Sequence, residues 1–164
     1  MSRPETEDGS VRSARDLFLM RNGFSMASYG AAFVEIPLGP ITARIPNTEG
    51  RKAVVPWHDL HHVITGYGTD LIGEAEIGMW ELRAGCTTVA AYVLNTMAVA
   101  LGLLLAPKRV ARAFQRARGA QSLYRQQLDY DDVLDVSVAA LRRMAAVPEE
   151  GVADAPPRLH TAAR

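Results

Sequence analysis

Between Cys86 and Ala106 the chain carries no charged side chain, and Lys108, Arg109, Arg112, Arg116 and Arg118 follow at once. A run of that length and polarity has two stable fates: a helix across a bilayer, or a central helix buried on every side by its neighbours. Thr87, Thr88, Asn95, Thr96 and the many alanines favour the buried helix. A chain of 164 residues is long enough for one domain with a real core and too short for two ordinary ones. The expected architecture is therefore mainly α, a compact helical bundle built around this segment.

The flanking sequence supplies the rest of the bundle. Leu17, Phe18 and Met20 at helical spacing predict a short helix from Val11 to Arg21, stopped by Asn22-Gly23. Alternation in Val34, Ile36 and Leu38, then in Ile41 to Ile45, with Gly39-Pro40 between, predicts a small β-hairpin over Phe33 to Ile45. Pro56 suits a first helical turn, so a helix is expected from Pro56 to Gly66. Tyr67-Gly68 makes the turn, Thr69 or Asp70 caps the next helix, and Gly85 ends it after Ala84. Pro107 starts a basic helix to about Gly119, and Asp131 or Asp132 caps a last amphipathic helix through Val133, Leu141 and Met144. Residues 1–10 and the Pro-rich stretch from Pro148 to Arg164, which holds His160, read as disordered. A single domain over residues 11–147 remains.

Composition excludes several function classes. Eighteen basic and eighteen acidic side chains cancel, leaving no excess for a broad polyanion-binding face, so nucleic acid is not the expected partner. The lone Cys86 rules out both an internal disulfide framework and a thiolate-rich zinc module. With no apolar leader in the first ten residues, the expected location is cytoplasmic, with peripheral contact at the inner face of the cell membrane as a further expectation. Neither a nucleophile elbow nor a glycine-rich phosphate loop is present.

The chemistry concentrates in His58-Asp59-Leu60-His61-His62, which holds three of the four histidines. Side chains four apart on a helix project from one face, so His58 and His62 can share one divalent ion. Asp59 lies within the next quarter-turn and can add a carboxylate oxygen. His61 points farther round, towards packing or support of the other ligands. Glu74 is the best fourth ligand, because it lies early on the helix that follows the tight turn. Glu81, seven residues on, shares its face and is placed to act as a proton acceptor towards substrate, whereas Glu76 reads as a surface or ion-pairing residue. Trp57 and Tyr67 flank the cluster and are candidate substrate-binding residues. A mixed nitrogen and oxygen shell suits zinc, with iron(II) and manganese as alternatives.

The run from Pro56 to Glu81 resembles the coenzyme Q biosynthesis protein 4 family. The family's hallmark is His-Asp-x-x-His, eleven residues, then Glu, and here His58, Asp59 and His62 are followed by Glu74 at that spacing. Thr65-Gly66, Thr69-Asp70, Gly73-Glu74 and Glu81 also fall on the family's pattern. The resemblance implies a zinc or similar ion on His58, Asp59, His62 and Glu74, a helical fold, and a role in forming the quinone ring of ubiquinone. It further implies oxidative removal of a ring carboxyl, a prenyl tail in an apolar groove, and work at a membrane surface.

Two functions are expected to compete. One is a metal-dependent lyase or decarboxylase-like enzyme, possessing Glu81 and Asp59 as catalytic groups, that tailors a quinone-type, polyketide or prenylated aromatic substrate, alone or as a homo-oligomer. The other is a metal-stabilised scaffold that binds an isoprenoid chain along Cys86 to Ala106 and anionic headgroups through the basic segment. A phosphohydrolase of the His-Asp type fails on count, because no histidine precedes His58.

Overall fold

The computed structural model describes residues 9–38 and 41–154. The expectations for residues 1–8 and 155–164, His160 included, and for Gly39-Pro40 fall outside them. In chain order the elements are α1 (Val11–Arg21), α2 (Ala27–Gly30), β1 (Phe33–Leu38), β2 (Ile41–Pro46), α3 (Glu49–Thr65), α4 (Leu71–Ala84), α5 (Val89–Leu105) and α6 (Pro107–Arg116). A single 3-10 turn (Leu123–Arg125), α7 (Tyr130–Leu134) and α8 (Val138–Met144) complete them. The fold is mainly α, as expected, and β1 and β2 pair antiparallel from Phe33 opposite Pro46 to Leu38 opposite Ile41.

Helix α3 starts earlier than Pro56. The Thr48 hydroxyl accepts from the Arg51 N–H and Glu49 stands in the first turn, a stronger start than proline alone. Pro56 is therefore interior, where its missing N–H costs one helical bond in a segment that packing holds. Gly66 caps the far end at φ 82°, and Asp70 caps α4 by accepting from the Ile72 and Gly73 N–H groups.

The expected last helix is two helices. Asp129 caps α7 and Ser137 caps α8. Between them the Val11 N–H donates to the Val136 carbonyl (2.9 Å), and the Val138 N–H donates to the Gly9 carbonyl (3.1 Å). Those partners hold residues 136 and 137 outside the helices, and they also order Gly9 and Ser10, which the sequence assigned to a disordered end. Order extends past Pro148 as well. The Val152 and Ala153 N–H groups both donate to the Thr65 carbonyl (2.8 and 3.1 Å), and Asp154 pairs with Arg112 and Arg116 of α6.

Leu60, Ile64, Ile77 and Trp80 of α3 and α4 form the centre of the core, joined by Val11, Leu123, Leu134 and Leu141. Helix α5 packs on α4, and its buried residues are Ala91, Asn95, Val99 and Gly102. It is not buried on every side: Val93, Met97 and Leu104 are 51%, 67% and 82% exposed. Its main neighbours among the described residues are α4, α6 and α3, and these side chains stay exposed beside them. Among the described residues no helix is long and apolar enough to cross a membrane.

The α4–α5 contact is close because Gly102 has no side chain. A Cβ there would stand 2.2 Å from Ala75 Cβ, which cannot swing aside. Gly102→Ala gains helix propensity worth about 1 kcal/mol, but separating the helices is expected to outweigh that with about 1–3 kcal/mol of overpacking. A melting temperature at or above the parent's would contradict the close approach.

Candidate metal centre

The site is built where α3 meets the first turns of α4. Gly73 permits the turn between them, since a Cβ at that position would lie 2.1 Å from the Gly68 carbonyl oxygen. The next residue, Glu74, is thereby brought against α3. Its Oε2 stands 3.3 Å from His58 Nε2, its Oε1 stands 3.3 Å from His62 Nε2, and the two Nε2 atoms are 3.1 Å apart. Tetrahedral nitrogen and oxygen ligands at about 2.0–2.1 Å from a cation are separated by about 3.4 Å, close to the spacing of the two nitrogens and of each nitrogen from its own Glu74 oxygen.

What surrounds the imidazoles fixes where their lone pairs point. His62 Nδ1 lies 3.0 Å from the Tyr67 carbonyl, which can only accept, so Nδ1 carries the hydrogen. His58 Nδ1 lies 2.9 Å from Glu81 Oε1, again an acceptor. Both Nε2 atoms therefore present lone pairs to each other and to a carboxylate. A cation, a metal ion or a proton, satisfies that convergence. His58, His62 and Glu74 are thus a group that could hold a metal ion.

Charge follows the same logic. Burial acts to lower the His58 pKa, but Glu81 and Glu74 outweigh it and hold the imidazole well above its usual value. Burial acts to raise Glu74, and His62 and His58 overcome it, leaving the carboxyl well below the usual range. A proton on His58 competes directly with a metal. Acidification that puts a proton on His58 is therefore expected to release bound metal, as metal content after dialysis at stepped pH would record. Retention unchanged to pH 5 would argue against imidazole ligation.

Glu81 is not where a proton acceptor for substrate should be. Its side chain is fully buried and accepts from His58 Nδ1 (2.9 Å), His61 Nδ1 (2.6 Å), Asn95 Nδ2 (2.6 Å) and the Tyr124 hydroxyl (3.1 Å). Burial works to raise its pKa, and His58 and His61 drive it well below the usual range instead. It is a permanently charged brace behind His58. His61 belongs to the same layer, as expected: its Nε2 accepts the Leu123 N–H (2.8 Å), which leaves Nδ1 to donate to Glu81. Burial lowers the His61 pKa and keeps the ring neutral.

No family model, curated protein or solved structure matches this chain.

The other expected residues divide. Asp59 is outside the donor triangle. It is buried, and its Oδ2 accepts the Tyr29 hydroxyl of α2 at 2.5 Å. Burial raises its pKa, against the pull of Tyr29 and the histidines. Tyr67 does not cover the site: its ring is in the core and its carbonyl is what serves His62. Trp57 packs edge-on against Tyr130 (5.1 Å, 87°) and lines a cavity with Val54, Thr87, Tyr124 and Leu128. Glu76 is buried rather than on the surface, held by a two-pronged pair with Arg109 (3.0 and 2.5 Å).

Three contributors were missed in the sequence. Phe18 stacks on the His62 ring (5.3 Å, 21°) and fixes its plane. Tyr124 and Asn95 complete the cage around Glu81. Asn95 carried a signal, being the one amide in the uncharged run and so in need of a buried partner. Nothing local marked Tyr124. The mouth of the centre lies on the Glu74 side, whose side chain is 36% exposed against 1% for His62.

Proposed function

We propose that this protein is a metal-dependent enzyme similar in type to the coenzyme Q biosynthesis protein 4 family. Its substrate would be a quinone-type, polyketide or prenylated aromatic molecule, tailored by lyase or decarboxylase-like chemistry. The observation that carries the reading is the convergence of two Nε2 lone pairs and the Glu74 carboxylate, each imidazole locked by its own acceptor on Nδ1. Three protein ligands with an open position is the arrangement of catalytic rather than structural zinc, and the same two-histidine, one-carboxylate set also suits iron(II) or manganese. When bound, the metal supplies Lewis-acid polarisation of a substrate oxygen. His58, His62 and Glu74 would hold it, Glu81 keeps His58 in the tautomer that ligation needs, and the part-exposed Glu74 side chain leaves that side open to solvent.

Native mass spectrometry of protein purified without added metal tests this. One zinc-mass ion per chain, with a retained aromatic or prenylated molecule, is the expected spectrum. A bare chain that takes up no zinc, iron(II) or manganese on titration would end the proposal.

A second reading, an isoprenoid-binding scaffold at a membrane surface, is favoured by the uncovered apolar face of α5, where Tyr92, Val93, Thr96 and Met97 line a shallow cleft. Against it, the Arg109, Arg112 and Arg116 charges are engaged by Glu76 and Asp154 instead of being free for headgroups. Flotation with anionic liposomes separates the two readings, since only the scaffold requires lipid association.

A further inference from the structure

Helix α3 presents one continuous stripe, Arg51, Val55, His58 and His62, at i, i+4, i+7 and i+11. That spacing returns to the same face, so Arg51 shares the face of the two imidazoles, two turns towards the N-terminus. Its bonding is incomplete. Among the described residues its guanidinium makes one hydrogen bond, from Nη1 to Asn47 Oδ1 (3.2 Å), and its buried Nε–H has no partner. Burial lowers its pKa, and the site carboxylates Asp59 and Glu74 act on it in the opposite sense. The charge thus stands in the field of the centre without being paired there.

A guanidinium does not relieve that position by losing its proton, because arginine stays charged in proteins. The buried Arg15, by contrast, is satisfied: it holds Asp16 through two nitrogens (2.9 and 2.7 Å). The edge of Arg51 that includes Nε is a planar fork of donors, the geometry that matches two oxygens of a carboxylate or phosphate.

We propose that Arg51 anchors an oxyanion of the ligand that enters the centre, so that the ligand carries a carboxylate or phosphate group beside the part that meets the metal. This rests on the metal reading given above. Arg51 is accordingly a specificity-determining residue: it selects acids over neutral analogues of the same shape.

The test is calorimetric titration of the zinc-loaded full chain with benzoate, with inorganic phosphate and with neutral benzamide. The parent, Arg51→Gln and Arg51→Lys are compared, each checked for zinc content and for folding by circular dichroism. At least one anion is expected to bind the parent while benzamide does not. Arg51→Gln should keep its zinc and lose about tenfold or more in anion affinity, the scale of a charge-assisted hydrogen bond. Arg51→Lys should fall between, since a point charge replaces a fork. Preference for benzoate identifies a carboxylate ligand and preference for phosphate a phosphoryl one. Equal anion affinity in parent and Arg51→Gln, or no binding of either anion by the parent, overturns the proposal. Titration of the metal-free chain keeps the two claims apart: Arg51-dependent anion binding by a chain that takes no metal sinks the metal reading and leaves Arg51 standing.

Discussion

His62→Ala is expected to leave the protein without bound metal after dialysis against a mild chelator, while the parent keeps one ion per chain. The imidazole is almost fully buried, provides one of three donor atoms, and is fixed by Tyr67 and by stacking on Phe18, so no neighbouring group can take its place. Loss of an outer partner of a metal ligand typically costs about 10–100-fold in affinity, and loss of the ligand itself should exceed that range. Glu74→Ala should behave likewise, and with less damage to the fold, because its side chain is part exposed. Competition titration with a chromogenic chelator reads both. If either variant held zinc as tightly as the parent, the donor triangle would not be the site.

The second large effect concerns stability. Glu81→Ala removes a buried carboxylate that satisfies four donors, and leaves His58, His61, Asn95 and Tyr124 facing a void. Breaking a buried charge arrangement by deleting one partner costs about 3–5 kcal/mol, a large part of the total stability of an ordinary domain. Urea unfolding of metal-free protein, parent against variant, measures it. Glu81→Gln retains the shape but turns an NH2 towards groups that are themselves donors, so it should lose about 1–3 kcal/mol and still bind metal about 10–100-fold more weakly. A Glu81→Ala loss below 1 kcal/mol would mean the cage does not act as a unit.

The parts of this molecule that were legible in its sequence are those whose causes lie within a few residues. The His58–His62 pair, the Asp70 cap and the Gly66 stop each depend on spacing along one helix or turn, and each is found where it was read. Glu74 was reachable because a short turn limits where the chain can go. Glu81 was placed on the correct side of α4 and given the wrong task, since its task is set by Asn95 and Tyr124, which approach only once α5 and the 3-10 turn are in place. Asp59 sits beside the ligands in the chain and is claimed by Tyr29 from another element. Pro56 misled because a proline start is a local preference, and Thr48 with Glu49 supplied a better one. The exposed face of α5 was unreadable for a different reason: burial belongs to the neighbours, and the run itself carries no charge that would mark an outer face.

The layer behind His58 has one more property. The Leu123 N–H donates to His61, His61 donates to Glu81, and Glu81 can only accept, so every hydrogen in this chain of contacts has a single permitted position. Such an array cannot be reversed by flipping one ring. The backbone amide of Leu123 is therefore locked to the interior by a side chain, in a stretch of chain that is otherwise mostly loop, and its exchange with deuterium should be slowed to the pace of global opening. A single amide signal thus reports on the integrity of the whole histidine–carboxylate array from outside the ligand sphere.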